Sequence, residues 1–499
     1  MSRWRKRSPR NKPLFFLSVA LLVLFALFLA FCLSSTADVL RSLLPSSSGT
    51  LDAARSTQCG FSLRGERFLW FAPHSGFSNQ VSELKNAILF AAILNRTLIV
   101  PPVLDHHAVV LGSCPKFRVS SPTELRTAVW DHIMELVRDR RYVSMGDIID
   151  LSVVTSSMVR TVDFRIFASA WCGLNMEQAC SGGLCCAISG KKSAVGNFDQ
   201  CRSLLSGLQG NNNQCTYAVE DDCRTTVWTY LQDNDETLDS FQAGQELLKK
   251  KKISYVRKRR SISKALGPGS KAAMSPILAF GTLFSAPYRG SESYIDIHEV
   301  PGDPRIQSLL KKMEFIPFAP EILAAAKEFA LNKIRKPFLC AQLRLLDGQF
   351  KNHWKTTFST LEQKLKSLEL KPNQRILSDP INIFLMTDLP SVNWTGTYLA
   401  DLAKDSTYQL YSMEENSELV MEAAKRLMAS ENGIRSSVLP RNYEGSRKKK
   451  ACNQVLLPDI LLYIEESVCS CASLGFVGTA GSTIAENIEL MRKKNTCKL

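Results

Sequence analysis

Between Arg67 and Pro102 the hydrophobic period of the chain changes twice, and the changes spell strand, loop, helix, strand. Phe68 to Phe71 is a short apolar and aromatic run, the pattern of a buried strand. Pro73 to Ser78 brings a proline, a glycine and two serines, all turn formers. From Gln80 to Leu94, the apolar Val81, Leu84, Ile88 and Ala91 recur at steps of three and four and share one helical face. Leu98 to Val100 is a second apolar strand, stopped by Pro101-Pro102. Such a βαβ unit builds a parallel sheet, whose ligands gather at the strand C-termini. The loop Pro73 to Gln80 lies at such an end and opens a helix, where free N–H groups suit an anion.

The same rhythm continues. Asp131 to Arg141 has a short helical pattern, and Tyr142 to Asp150 and Val159 to Phe164 are mixed apolar segments. Thr225 to Leu231 is β-prone, and Ser275 to Phe284 is apolar again. Proline and glycine cluster between Pro301 and Pro320 and mark a boundary. Beyond it, helical patterns at Glu321 to Lys333, Phe358 to Leu370, Ser417 to Met428, Pro458 to Val468 and Ser482 to Arg492 alternate with strand patterns. The strands are expected at Pro337 to Leu343, Ile381 to Met386, Gln409 to Tyr411 and Phe476 to Gly478. Alternation in both halves predicts an α/β fold with two Rossmann-like, parallel-sheet domains facing a cleft, over residues 59–310 and 311–499.

Ahead of these domains lies a different pattern. Leu14 to Leu33 is 20 residues without a charge. At about 1.5 Å per residue that spans a bilayer. Residues 1–13 carry six basic side chains and no acid, which predicts a cytosolic tail, a signal-anchor at 14–33 and a lumenal body. Residues 34–58, rich in Ser and Ala, read as a stem. A cleaved signal ending near Ser34 to Ala37 is the competing expectation. Both place the body in the secretory pathway.

That placement changes how charge and cysteine are read. The net charge is +15, but the tail holds part of it. The basic runs Lys249 to Lys252, Arg257 to Arg260 and Arg447 to Lys450 read as solvated loops, and no nucleic-acid partner is expected. Of 15 cysteines, Cys32 lies in the span. Cys172, Cys180, Cys185, Cys186, Cys201, Cys215 and Cys223 crowd into a Gly- and Asn-rich insert over 172–223, the mark of a disulfide-stapled excursion. A zinc site is the other reading of that cluster, without paired C-x-x-C units to support it.

Four places could carry chemistry. In Pro73-His74-Ser75-Gly76-Phe77-Ser78-Asn79-Gln80, glycine permits close backbone approach, and Asn and Ser can bond sugar hydroxyls or phosphate. Gln342-Leu343-Arg344 ends a strand on a guanidinium, whose planar fork pairs with oxyanions. Asp347, His353 and Trp354 follow in a loop that could line the same cleft. Gly478-Thr479-Ala480-Gly481-Ser482-Thr483 opens the last helix with small residues and hydroxyls, another anion seat. Asp233-Asn234-Asp235 could hold a divalent cation. Each also fits a plain role: a turn, a surface ion pair, a capped helix start, loop acids. Asn95-Arg96-Thr97 and Asn393-Trp394-Thr395 match the glycosylation sequon, Asn393 being the more open of the two.

Taken together, the first three places resemble the GDP-fucose protein O-fucosyltransferase family, in particular its large plant branch. Phe71 to Gln80 followed by Leu94-Asn95-Arg96-Thr97-Leu98 and Pro101-Pro102 resembles the N-terminal motif. Gln342-Leu343-Arg344 resembles its His-Leu-Arg, and Phe476-Val477-Gly478 with Ser482 and Ile484 its C-terminal motif. The departures are Gly76 where relatives often carry Arg, Gln342 for His, and Leu474 where an Asp is usual. The resemblance implies a GT-B fold, a Golgi type II enzyme and no metal or other cofactor. It implies inverting transfer of fucose from the nucleotide sugar GDP-fucose to a protein or glycan hydroxyl. Residue by residue, Arg344 would stabilise the leaving diphosphate, Asn79 would orient sugar and phosphate, and Ser482 and Thr483 would meet the phosphates. Gly76, Phe77, Gln342 and Leu343 would complete the donor site. His74 is the candidate base, with Glu83 and Asp347 as alternatives. Rhamnosyl transfer onto cell-wall polysaccharide and a silent carbohydrate-binding scaffold are the alternative functions.

Overall fold

Apolar runs set the order of pairing. The computed structural model describes residues 67–106, 108–109, 120–139, 141–155, 159–172, 201–207, 215–230, 238–241, 255–284, 295–296, 303–346, 350, 354–370, 380–439, 457 and 459–497. The tail, the apolar span, the stem and most of the cysteine-rich insert lie outside them, as does Asp233-Asn234-Asp235. Among the described residues no helix is long and apolar enough to cross a membrane.

The first half runs β1 (Phe68–Trp70), α1 (Phe77–Leu94), β2 (Thr97–Val100), α2 (Pro122–Arg138), α3 (Met145–Ile148), β3 (Thr161–Asp163) and β4 (Thr216–Val219). Then come β5 (Thr226–Thr229), β6 (Leu238–Phe241), β7 (Tyr255–Ser261), β8 (Ile277–Phe280) and β9 (Ile295–Asp296). The first sheet has the order β3-β2-β1-β8-β4, and all its pairs are parallel. Every residue of β1, β2 and β8 is buried, so both faces need a cover. Alternate side chains supply two cores. Leu69 and Leu98 pack with Leu84 and Ile88 of α1, while Phe68, Trp70 and Ile99 pack with Leu125, Val129 and Ile133 of α2. Helix α2 starts earlier than its periodicity predicts. Ser121 and Glu124 form a capping box around Pro122, which sets the start nine residues ahead of Asp131.

A small sheet of order β6-β7-β5-β9 follows. It corrects the reading of Arg257 to Arg260 as a solvated loop. These residues lie in β7, where Arg257 is buried, Arg259 bonds Asp296 at 2.7 Å and Arg260 bonds Asp221 at 2.6 Å. Carboxylates from distant segments make the strand tolerable, and no local pattern shows them.

The second half runs α4 (Pro304–Met313), α5 (Pro320–Phe329), β10 (Phe338–Leu343), α6 (Trp354–Glu369), β11 (Ile381–Thr387), β12 (Tyr408–Tyr411), α7 (Glu418–Ser430), α8 (Asn432–Arg435), α9 (Ile460–Ser470), β13 (Gly475–Gly478) and α10 (Thr483–Lys493). Its parallel sheet has the order β12-β11-β10-β13, and all six residues of the central β10 are buried. The Pro- and Gly-rich boundary is mostly helix: Asp303 caps α4, Pro304 starts it, and α4 packs against α1.

The halves interlock within one compact unit, residues 61–499. Phe77 of α1 lies tilted against Tyr463 of α9 at 4.4 Å between ring centroids and stacks on Phe318 at 6.2 Å. The Gly433 N–H of α8 donates to Asp147 of α3 at 2.9 Å. The Val438 N–H donates to the Thr161 carbonyl at 2.7 Å, so the second half covers the free edge of β3. Disulfides Cys340–Cys469 and Cys471–Cys497 fix α9 to β10 and to the C-terminal segment. Cys201, Cys215 and Cys223 are also disulfide-bonded, which removes their thiolates from any zinc site.

Candidate functional site

Four strand C-termini converge: β1 leads to Gly76, β2 to His106, β10 to Arg344, and β13 to Thr479 and Ser482. The loop before α1 is held from inside. The Gln80 side chain donates to the carbonyls of Ser75 at 2.7 Å and Leu104 at 2.9 Å, and accepts from the Leu104 N–H at 2.9 Å. Glu83 is fully buried and gathers the His74 N–H, the Leu283 N–H and the Thr282 hydroxyl at 3.0–3.3 Å. The His74 ring abuts the same carboxylate and leans edge-on against Phe284. His74 and Glu83, expected as candidate bases, are thus spent on anchoring the loop. Helix α1 begins with Gly76 at its N-cap and no side-chain cap, and Asn79 stands half-exposed in the first turn.

Arg344 is fixed by its backbone, and its side chain reaches towards Phe350 and His106. Its N–H donates to the Thr479 hydroxyl at 2.9 Å. Asp388 accepts from the next two backbone N–H groups, of Leu345 at 2.7 Å and Leu346 at 3.0 Å. Trp354 donates to the Leu345 carbonyl. The guanidinium lies over the Phe350 ring at 5.2 Å, and its Nη2 stands 3.5 Å from His106 Nε2. Gln342 spends its polar groups on Thr479: the side-chain oxygen accepts from the Thr479 N–H at 3.2 Å, and the backbone carbonyl from the N–H at 3.0 Å and the hydroxyl at 3.2 Å. Leu343 is fully buried in the core of the second sheet. Phe77, Gln342 and Leu343, expected as donor contacts, therefore turn into the protein. The strand of Gln342 and Leu343 is buried on both faces, and the Phe77 ring packs against Tyr463 and Phe318.

Ser482 holds the N-cap position of α10 without a side-chain cap bond, is fully buried, and its hydroxyl has no hydrogen-bond partner among the described residues. The Ser482 N–H donates to the Thr479 carbonyl at 3.1 Å, which ties the helix start to the Arg344 knot. Thr483 is exposed at the first helical position. Asn95 and Asn393, the sequon asparagines, are both exposed. Asp347 and His353 lie outside the described residues.

One cavity of about 640 Å³ opens beside His106, lined also by Asp105, Asp131, His132 and Glu135. Asp459, at the start of α9, is raised above the ordinary carboxylate value by burial, with His106 pulling it down and Asp105 pushing it up. A cation, two helix starts and an imidazole thus meet in one place, which is what a diphosphate leaving group asks for. His106, Asp388 and Asp459 are the site residues that sequence reasoning did not single out; Thr479 lay within the predicted anion seat at 478–483. The sequence signal of His106 and Asp388 was position after a strand, and that of Asp459 position before a helix.

No family model matches the chain. It is 50% identical over 499 residues to O-fucosyltransferase 30 of Arabidopsis thaliana, covering 99% of this chain and 96% of that one. Among solved structures it is similar to POFUT1 in complex with GDP-fucose, at TM-score 0.36 and 11% identity over 86% of this chain and 94% of that one. The fucosyltransferase NodZ from Bradyrhizobium gives TM-score 0.31 and 11% identity, over 86% of this chain and 94% of the other. Scores this low carry neither site nor function, and the weight rests on the sequence relative.

Proposed function

Because the chain belongs to the O-fucosyltransferase family and is a glycosyltransferase, we propose that it transfers fucose from GDP-fucose to a hydroxyl of a protein or glycan, with inversion. The observation that carries this reading is the unbroken line Gly76, His106, Arg344, Thr479 and Ser482 across the strand ends of two parallel sheets. Arg344 meets the β-phosphate and takes up the charge that grows as the bond from sugar to phosphate breaks. The first turn of α10, with Thr483 exposed at its start, receives the phosphate oxygens. Asn79, across the site, orients the sugar. The acceptor oxygen attacks from the face opposite the diphosphate, which inverts the anomeric carbon. Residues 14–33 anchor the enzyme in the Golgi membrane with its body in the lumen, an oxidising placement that the Cys340–Cys469 and Cys471–Cys497 bridges support.

The test is thermal unfolding of the full-length chain in detergent with GDP, GDP-fucose and UDP-sugars, together with GDP release from GDP-fucose. GDP and GDP-fucose should stabilise the fold, by about 2.7 kcal/mol at a hundredfold excess over Kd. A shift with UDP-sugars alone would move the donor, and no shift with any nucleotide would sink the reading.

A further inference from the structure

We propose that His106 is the base of the transfer, its Nε2 taking the proton of the incoming hydroxyl; this rests on the GDP-fucose reading. A Cβ placed on Gly76 would lie 2.4 Å from His106 Nδ1 and 2.5 Å from Cε1, so the imidazole lies directly on the glycine that starts α1. A side chain at position 76 would displace it. The opposite ring nitrogen, Nε2, faces Arg344 Nη2 at 3.5 Å. A guanidinium has only donors, so a hydrogen bond at this contact requires Nε2 to be the unprotonated nitrogen. In that tautomer the imidazole lone pair lies beside the group that serves the leaving diphosphate. The ring is half-exposed and also lines the 640 Å³ cavity, so one edge looks to the donor and the ring borders a space open to an acceptor.

The charges around the ring are mixed. Arg344 faces it from the end of β10, Asp459 from the start of α9, and Asp105 is its chain neighbour. Across the cavity α2 brings Asp131, His132, Glu135 and Arg138. Asp459 gives the imidazolium formed in the step a nearby carboxylate, and Asp105, which Arg141 holds at 2.6 Å, adds to it. As the acceptor oxygen bonds to the anomeric carbon, the bond from that carbon to the β-phosphate oxygen breaks and its electron pair leaves with GDP. The acceptor proton passes to Nε2, and the diphosphate takes over Arg344. The imidazolium then loses its proton to solvent.

The experiment follows GDP release from GDP-fucose, with water as acceptor, between about pH 5 and pH 9, the range in which imidazoles titrate. Full-length wild type, His106→Gln and Gly76→Ala are compared in detergent, with GDP binding read by thermal shift. Gln keeps an acceptor for Arg344 and cannot take up a proton. The expected result is a wild-type rate that falls on acidification. His106→Gln should lose roughly 10²-fold in kcat, keep its GDP shift and lack the acid limb. Gly76→Ala, which pushes the ring aside, should show the same loss. If His106→Gln melts early, His106→Asn takes its place. A His106→Gln rate near wild type, an acid limb that persists in the variant, or lost GDP binding with kcat retained would each overturn the proposal. A wild type that binds GDP and GDP-fucose but shows no imidazole-range acid limb overturns the base alone. A wild type that neither binds nor cleaves GDP-fucose overturns the donor reading and the base with it.

Discussion

Thr479→Val keeps the side-chain shape and removes one hydroxyl from the knot behind Arg344. That oxygen accepts from the Arg344 N–H at 2.9 Å and donates to the Gln342 carbonyl at 3.2 Å. Thr479 is 1% exposed, so water cannot stand in for it. Leaving the Arg344 N–H without that acceptor costs about 1–3 kcal/mol, and the lost bond to Gln342 about 1 kcal/mol more. The expected destabilisation is therefore about 2–4 kcal/mol, read by chemical denaturation through the fluorescence of the buried Trp70 and Trp228. Thr479→Ser restores the oxygen and should recover most of the loss. A guanidinium displaced by about 1 Å loses roughly 10²-fold in rate, so GDP release should fall in Val and return in Ser. If Val stayed within about 0.5 kcal/mol of wild type with an unchanged rate, Thr479 would not be what positions Arg344.

Arg344→Ala should abolish GDP release while leaving the melting temperature near wild type, because the backbone bonds of that loop do not involve its side chain; retained release would remove Arg344 from the site. Arg96→Met should cost roughly 2–4 kcal/mol in denaturant, since the buried guanidinium, which burial and Arg67 lower to about 10, is the donor to the carbonyls of Phe68, Ser275, Pro276 and Ala272; a neutral outcome would show that those carbonyls find other donors. Burial pushes Glu466 up to about 8, against a pull from Asn487. The folded chain then keeps a proton that the unfolded chain releases, so stability falls as pH rises from the ordinary carboxylate range towards 8. Glu466→Gln keeps an acceptor for Asn487 and should narrow the gap in melting temperature between about pH 5 and about pH 8, with Glu465 holding the remainder; an unchanged gap would refute the assignment.

The parallel sheets were readable because their strands are buried on both faces. Phe-Leu-Trp of β1, Thr-Leu-Ile-Val of β2 and the run Phe338 to Leu343 have few other places to go. Arg344 stood out because the planar fork of a guanidinium at a strand end suits an oxyanion, although a surface ion pair fitted the same pattern. The rest of the site was hidden by distance along the chain. Thr479 meets Arg344 across 135 residues, Asp388 meets Leu345 across 43, and His106 meets Arg344 across 238. No period or spacing records such pairs. Burial misled in the other direction: His74 looks like a catalytic residue in sequence, and only the fold shows Glu83 enclosing it. The arginines of β7 likewise look like loop charges until Asp221 and Asp296 are brought to them.

The bond from Thr161 to Ser436 joins residues 275 positions apart, next to the one from Val438 to Thr161. During synthesis β3 is therefore made long before the segment that covers it. At roughly 5–20 residues per second, the ribosome needs about 14 to 55 s to bridge that interval. Through that time the nascent first sheet shows a bare edge, with backbone groups ready to pair with any other extended chain. A polypeptide stopped at the domain boundary would keep that edge permanently. The two halves are thus bound to a common schedule: the first must wait, shielded by its neighbours or by a chaperone, until α8 and the residues behind it emerge.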